Sequence, residues 1–139
     1  MMYELHAIGY LTLRVVLGIW LVAEGLRHFR IGSKKMASFY RPLYPSFVKE
    51  SLLRIGFIIG YIIELLSGIL LIIGLAKPFA LFILSPYFIL QAVGRSSITP
   101  YWDPKHFFVR LIIYFLLTAL PLSWDIYSLD FIFNPPTYH

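Results

Sequence analysis

Long apolar runs constrain this 139-residue chain more than any other feature. A helix needs about 20 mainly apolar residues to cross roughly 30 Å of hydrocarbon. The candidate spans are residues 7–27, 55–75, 79–94 and 107–124, of which the third is short and contains Pro86. Backbone groups in lipid must be hydrogen-bonded within the segment, and barrel-type alternation is absent, so the runs are predicted to be helices. The sequence therefore predicts an all-α fold, a single-domain integral membrane four-helix bundle.

The composition agrees with a lipid environment. Hydrophobic residues make up 59% of the chain and charged residues 14%, whereas typical soluble domains have about 25% charged residues. Cysteine is absent, which excludes disulfides, thiol chemistry and cysteine-based metal sites. The net charge of +5 comes mostly from residues that flank the apolar runs. A membrane surface is therefore favoured over nucleic acid as the partner.

The connection at residues 28–54 is long, basic and aromatic. Pro42 and Pro45 forbid one continuous helix there. Its aromatic side chains favour a segment lying on the lipid headgroups, with a solvated loop as the alternative.

Basic residues indicate the orientation of the predicted spans. Those of the first and third connections and their flanks lie on one side: Arg27, Arg30, Lys34, Lys35, Arg41, Lys49, Arg54, Arg95 and Lys105. The opposite side has only Lys77. The positive-inside rule then predicts a multi-pass protein of the plasma (inner) membrane with both termini outside, in the periplasm of a bacterium, including the tail at 125–139.

Four ionisable side chains fall inside the predicted spans, namely Arg14, Glu24, Glu64 and Arg110. Such residues are costly in lipid and usually face a bundle interior. Their depths along the helices predict the ion pairs Arg14–Glu64 and Glu24–Arg110, with exchanged partners within one network as the alternative. The network either only sets the helix register or lines a polar pocket for a quinone head group, a lipid or a proton path.

Glycines accompany these charges along two helix faces. Glycine every four residues on either side of Glu64 marks one face of the second helix, and the first helix has glycines on the face of Arg14. Small residues allow close helix approach in lipid, so the two faces are predicted to meet. The predicted packing glycines are Gly18, Gly25, Gly56, Gly60 and Gly68.

Further polar side chains are candidates for lining a pocket: His28, Tyr61, Gln91 and His106. Two histidines near span ends could ligate haem, but the supporting metal pattern is absent. We therefore predict no metal and no cofactor, and keep quinone or lipid as candidate ligands. Because no nucleophile–base pair, phosphate loop or dinucleotide fingerprint occurs, the chain is not predicted to be an enzyme on its own.

Several of these segments resemble the DoxX family. Leu13–Gly18, followed by Glu24-Gly25, is similar to the family's opening helix, and residues 35–45 are similar to its first connection. Gly60–Leu70 gives the best match, with Glu64 followed four residues later by glycine. The resemblance covers roughly residues 14–124.

The resemblance implies a small four-helix membrane bundle associated with redox systems such as thiosulfate:quinone oxidoreductase and terminal oxidase complexes. Thiol–disulfide chemistry, known in related bundles, cannot apply to a chain without cysteine. The family often has a lysine near the end of the first helix, where this sequence has His28.

Residues and resemblance together predict a non-catalytic accessory or structural subunit of a membrane redox complex, of the respiratory or quinone type, or of a transport complex. The expected partners are the lipid bilayer and a larger membrane complex or further copies of the chain. One alternative is a quinone-reactive oxidoreductase subunit that uses the buried Arg/Glu cluster. The other is a membrane protein that binds a lipid or another hydrophobic small molecule.

Overall fold

A computed structural model describes residues 2–96 and 105–133, and all regular elements in these ranges are helical. This confirms the all-α prediction. The helices are α1 (Met2–Ile31), α2 (Ser33–Tyr40), α3 (Glu50–Ile73), α4 (Lys77–Ser96), α5 (Lys105–Ala119) and α6 (Leu129–Phe133), with 3-10 turns at Arg41–Leu43 and Leu122–Trp124.

Three of these helices are long and apolar enough to cross a membrane: Glu4–Ile31, Glu50–Ile73 and Lys77–Ser96. The predicted fourth span, 107–124, is a shorter helix because α5 ends at Ala119, just before Pro121. The residue before a proline is disfavoured in helical geometry, and the proline ring cannot continue the helix. The 15 residues of α5 rise about 22 Å, which is less than the roughly 30 Å of a hydrocarbon core.

The connection predicted at 28–54 is shorter than expected, because α1 continues to Ile31 and α3 begins at Glu50. Between them α2 packs against α3 and buries Met36 and Ala37. A 3-10 turn containing Pro42 follows α2. The chain then reaches the far end of α4, where the Tyr44 hydroxyl lies beside Gly94. The connection between α1 and α3 thus lies against the start of α3 and the end of α4, both of which carry basic residues.

Glycines let α1 and α3 pack backbone to backbone. A Cβ atom at Gly18 would lie 2.8 Å from the carbonyl oxygen of Gly68, and one at Gly68 would lie equally near the carbonyl oxygen of Gly18. A Cβ atom at Gly25 would lie 2.8 Å from Leu65 Cγ. These three glycines form the seam between the two helices, the most extensive interface of the fold.

The other two predicted packing glycines lie outside this seam. Gly60 faces α4, where a Cβ atom would be 3.6 Å from the ring of Tyr87. The packing role of Gly56 stays a prediction, since no atom of the described residues lies within 4 Å of its Cβ position. The register of the seam explains this result: α1 ends at Ile31, before it reaches the level of Gly56 on α3.

The remaining helices complete the core. α1 also contacts α5, and α4 contacts both α3 and α5. The apolar cluster between them consists of Tyr10, Leu17, Leu21, Leu71, Ala80, Leu81, Leu84, Tyr87, Phe88, Phe107, Tyr114 and Leu117. Polar groups occupy the two ends of this core, and they form the sites described next.

Candidate functional site: two buried polar clusters

The first cluster lies where the chain after α5 folds back onto the bundle. We call Arg14, Lys77, Asp125, Ser128 and Asp130 the Asp125 cluster. Arg14 Nη1 donates to Asp125 Oδ2 at 3.1 Å, and the ammonium group of Lys77 donates to the same oxygen. Lys77 Nζ also donates to Ser128 Oγ at 3.2 Å. Arg14, Lys77 and Asp125 are all buried, so one carboxylate is shared by two cations away from water.

The same segment caps the next helix. The backbone N–H groups of Ala76 and Lys77 donate to the carboxylate of Asp130 at 2.8 and 3.0 Å. A carboxylate suits the free N–H groups and the positive dipole at the start of α4. The backbone N–H of Asp130 in turn donates to the carbonyl oxygen of Gly74 at 3.0 Å. Gly74 ends α3 in the left-handed region at φ 71°, which glycine adopts at little cost. The segment after α5 therefore binds the α3–α4 turn through both the side chain and the backbone of Asp130.

The predicted Arg14–Glu64 ion pair is wrong, because the partner of Arg14 is Asp125. The register of the seam places Gly25, rather than Arg14, at the level of Leu65. Glu64 thus lies about 18 Å along the axis from Arg14, beyond the reach of an arginine side chain. Apolar span centres do not report this stagger, which depends on where the glycines of the two helices meet.

The second cluster surrounds the fully buried carboxylate of Glu64. We call Glu64, His28, Tyr87, Gln91 and Arg110 the Glu64 cluster. His28 Nδ1 lies 2.9 Å from Glu64 Oε2, and Arg110 Nη1 lies 3.9 Å from Glu64 Oε1. The Tyr87 hydroxyl donates to Glu64 Oε1, and Gln91 Nε2 donates to the Tyr87 oxygen. Four helices, α1, α3, α4 and α5, each contribute to this network.

The hydrogen bonds of Tyr87 determine how the side-chain amide of Gln91 is oriented. The single hydroxyl proton of Tyr87 is donated to Glu64, so the amide of Gln91 must present its NH₂ group to Tyr87. Its carbonyl oxygen, Gln91 Oε1, therefore points elsewhere. It is buried and has no hydrogen-bond partner within the described ranges. A buried acceptor without a donor costs free energy, and such an atom calls for an explanation.

The Glu64 cluster opens toward the end of α1. Glu24 forms an ion pair with Arg27 at 2.7 Å and lies 3.7 Å from His28 Nε2. The side chain of Arg27 is 65% exposed, that of His28 19% and that of Glu64 0%. A graded series of polar groups thus leads from the surface to the buried carboxylate.

Aromatic rings border this series. The guanidinium of Arg110 lies over the Trp20 ring at 5.7 Å, and that of Arg95 lies over the Phe107 ring at 5.4 Å. Such placements stabilise a cation where water is scarce. Nearby, burial is the main cause that raises the pKa of the Tyr44 hydroxyl, with Tyr40 adding to the rise and Arg95 opposing it. The Tyr44 hydroxyl therefore stays protonated at neutral pH.

The other predicted site residues have different places. Tyr61 packs edge-on against Phe29 with ring centroids 5.8 Å apart, outside the Glu64 cluster. The side chain of His106 lies outside the described residues. The contacts of Glu24 described above are with Arg27 and His28. The Glu24–Arg110 ion pair stays a prediction. In the parts of the chain that the structure describes, no group of three His, Asp or Glu residues is arranged to hold a metal ion.

Sequence reasoning missed Lys77, Tyr87, Asp125, Ser128 and Asp130. For Tyr87 a signal was present, because it lies four residues before Gln91 on one face of a helix. The two tail acids also had a signal: they lie at the same predicted end of the bundle as Arg14 and Lys77. Comparing depths between spans cannot identify them, because a partner from the tail has no depth within a span.

No protein-family model, curated protein or solved structure matches this chain. The resemblance to the DoxX family therefore stays a prediction.

Proposed function

We propose that this chain is an integral membrane protein whose Glu64 cluster binds the hydroxyl-bearing head group of a lipophilic small molecule, such as a quinol. The observation that carries the proposal is the buried acceptor Gln91 Oε1, which has no donor among the described residues and lies beside the Glu64–Tyr87 pair.

The outer faces of the helices support membrane insertion. Large apolar side chains with at least 40% exposure recur along α3 and α4: Ile55, Ile59, Ile62, Leu66, Ile69, Ile73, Phe79, Phe82, Ile89, Leu90 and Val93. Soluble monomers seldom expose contiguous apolar surfaces of this kind. At the same time Arg14, Glu64 and Arg110 are buried inside the bundle, as expected when lipid surrounds it. In the membrane, α5 and the turn after it would complete the fourth crossing.

An alkaline carbonate wash of membranes from expressing cells tests insertion. We expect the protein to stay in the pellet and to require detergent for release. Reporters fused to the C-terminus test the predicted orientation, in which both termini lie outside the plasma membrane. Activity of a reporter that functions only in the cytoplasm would reverse that orientation.

The chemistry of the Glu64 cluster favours a ligand with an O–H group. Gln91 Oε1 can only accept a hydrogen bond, so a quinol satisfies it and an oxidised quinone does not. The carboxylate of Glu64 and the ring of His28 lie next to this position. They can hold the hydrogen bonds of Tyr87 and Gln91 in place. Trp20, Phe88 and Phe107 supply aromatic surface around the cluster, which suits a planar ring.

Binding of a matched quinol and quinone pair to the purified full-length protein in mild detergent tests this proposal. We expect the quinol to bind more tightly, and Gln91→Leu to weaken quinol binding by about fivefold, the effect of losing one hydrogen bond of about 1 kcal/mol. Tyr61→Phe is the matched control, because Tyr61 lies outside the cluster and should leave binding unchanged. Equal affinities for quinol and quinone, or a Gln91→Leu variant that binds like wild type, would contradict the proposal.

A second candidate is an accessory role in a larger membrane redox or transport complex. The observation that favours it is the apolar surface of the segment after α5, where Tyr127, Ile132 and Phe133 are at least half exposed. Purification in mild detergent followed by mass spectrometry tests this role. A stoichiometric larger partner that is lost on Ile132→Asp would support it, and a chain that purifies alone would speak against it.

A further inference from the structure

An open groove lies between α2 and the first turns of α3, apart from both polar clusters. Its volume is about 500 Å³, and its lining consists of Lys34, Glu50, Ser51, Arg54, Ile55 and Ile58. This volume falls within the range of about 300–1,000 Å³ that is usual for small-molecule sites.

The groove carries charges of both signs that do not neutralise one another. Lys34, Glu50 and Arg54 are exposed, and none of them forms an ion pair or a side-chain hydrogen bond in the portion of the chain that is described. Two cations and one carboxylate are therefore free to bind an external molecule. A single anion would leave Glu50 opposed, whereas a zwitterion would match all three groups.

Below the groove the surface becomes apolar. Ile55, at its edge, is 54% exposed, and Ile59 and Ile62 continue the same exposed face down α3. Their spacing of four and three residues keeps them on one side of the helix. The arrangement of a polar groove above a long apolar strip matches the shape of an amphiphile with a zwitterionic head.

We propose that this groove binds one phospholipid whose head group carries both a phosphate and a primary ammonium, the chemistry of phosphatidylethanolamine. Lys34 and Arg54 bind the phosphate through charge-assisted hydrogen bonds, Glu50 accepts hydrogen bonds from the ammonium, and an acyl chain lies along Ile55 and Ile59. A trimethylammonium head group cannot donate to Glu50, and a glycerol head group has no charge to offer it. The inference rests on the membrane insertion proposed above.

Native mass spectrometry of the delipidated full-length protein tests the proposal, with phosphatidylethanolamine, phosphatidylglycerol and phosphatidylcholine of identical acyl chains added in equal amounts. We expect the wild type to retain phosphatidylethanolamine about three- to fivefold more than the other two, the size of effect that exposed charge pairs produce. Glu50→Gln should abolish the preference over phosphatidylglycerol. The double variant Lys34→Ala/Arg54→Ala should lower retention of phosphatidylethanolamine by about tenfold. Lys35→Ala, which changes an exposed lysine of α2 outside the groove, is the matched control and should behave like wild type.

Equal retention of the three lipids by the wild type would overturn the proposal, as would preferential retention of phosphatidylglycerol. Unchanged retention by the double variant with native helical circular dichroism would overturn it as well. These outcomes differ from failure of membrane insertion, in which the carbonate wash releases the protein and no lipid is retained.

Discussion

The two polar clusters differ in how their central carboxylates are neutralised. Asp125 Oδ2 accepts hydrogen bonds from both Arg14 and Lys77, two basic side chains that are themselves buried. Glu64 receives a tyrosine hydroxyl and a histidine, and its arginine neighbour lies at 3.9 Å. The Asp125 cluster therefore depends on charge pairing in a closed interior, whereas the Glu64 cluster is a hydrogen-bond network.

The clusters also differ in access. Each leaves a buried acceptor without a partner among the described residues, Asp125 Oδ1 in one and Gln91 Oε1 in the other. Asp125 is 1% exposed, while Gln91 is only partly buried and the Glu64 cluster continues to the surface through His28. The difference teaches that two buried carboxylates can have unlike surroundings: the Asp125 cluster is closed and joins the segment after α5 to the bundle, whereas the Glu64 cluster extends to the surface, which is why the proposed ligand is assigned to it.

Replacing the central carboxylate of the Asp125 cluster should have the largest effect on the free energy of unfolding. Asp125→Asn keeps the size of the side chain but leaves Arg14 and Lys77 buried without an anion. Breaking a buried pair in this way typically costs about 3–5 kcal/mol. Unfolding by sodium dodecyl sulfate in mild detergent micelles measures the free energy of unfolding, with Lys35→Ala, a change at an exposed residue of α2, as the control. A loss below 1 kcal/mol would mean that the cluster does not hold the fold.

The equivalent change in the Glu64 cluster should lower the free energy of unfolding by less. In Glu64→Gln the amide oxygen still accepts the Tyr87 proton, and His28 retains access toward solvent. We expect a loss of about 2–3 kcal/mol, between that of an unsatisfied polar group and that of a broken buried ion pair. The same unfolding assay measures it. A larger loss than that of Asp125→Asn would mean that the Glu64 cluster, rather than the Asp125 cluster, contributes more to stability.

The glycine seam holds the two clusters at a fixed separation along the bundle. Gly68→Ala places a methyl group 2.8 Å from the backbone oxygen of Gly18, so the helices must separate, at about 1–2 kcal/mol for such overpacking. Gly56→Ala is the matched control, because its Cβ position is open and alanine favours the helix. Equal stability of the two variants in the unfolding assay would show that the seam does not set the register.

Removing the helix cap should have the smallest effect. Asp130→Ala deletes the acceptor for the N–H groups of Ala76 and Lys77 but leaves the Asp125 ion pairs in place. Loss of such a cap costs about 1 kcal/mol. Hydrogen exchange at Ala76 and Lys77 should accelerate while exchange in α1 stays unchanged. Acceleration in α1 as well would mean that the two halves of the Asp125 cluster are not independent.

Local pattern accounts for much of the fold. Apolar runs and glycine spacing located three long helices and the faces on which Gly18, Gly25 and Gly68 lie, because hydropathy and the 3.6-residue period act within one segment. Pro121 marks a stop inside the predicted fourth span, where α5 ends at Ala119. Arg14 and Glu64 were identified as interior charges by the same local reasoning, since a charge within an apolar run must avoid lipid.

By itself, the sequence thus determined the helical segments and that Arg14, Glu64 and Arg110 turn inward. Only the tertiary structure decided their partners: the stagger of α1 against α3 places Arg14 far from Glu64, and the reversal of the chain after α5 brings Asp125 to Arg14. The physical reason is that helix formation depends on neighbours in sequence. Ion pairs, in contrast, depend on contacts within about 4 Å between segments whose relative register no single segment encodes.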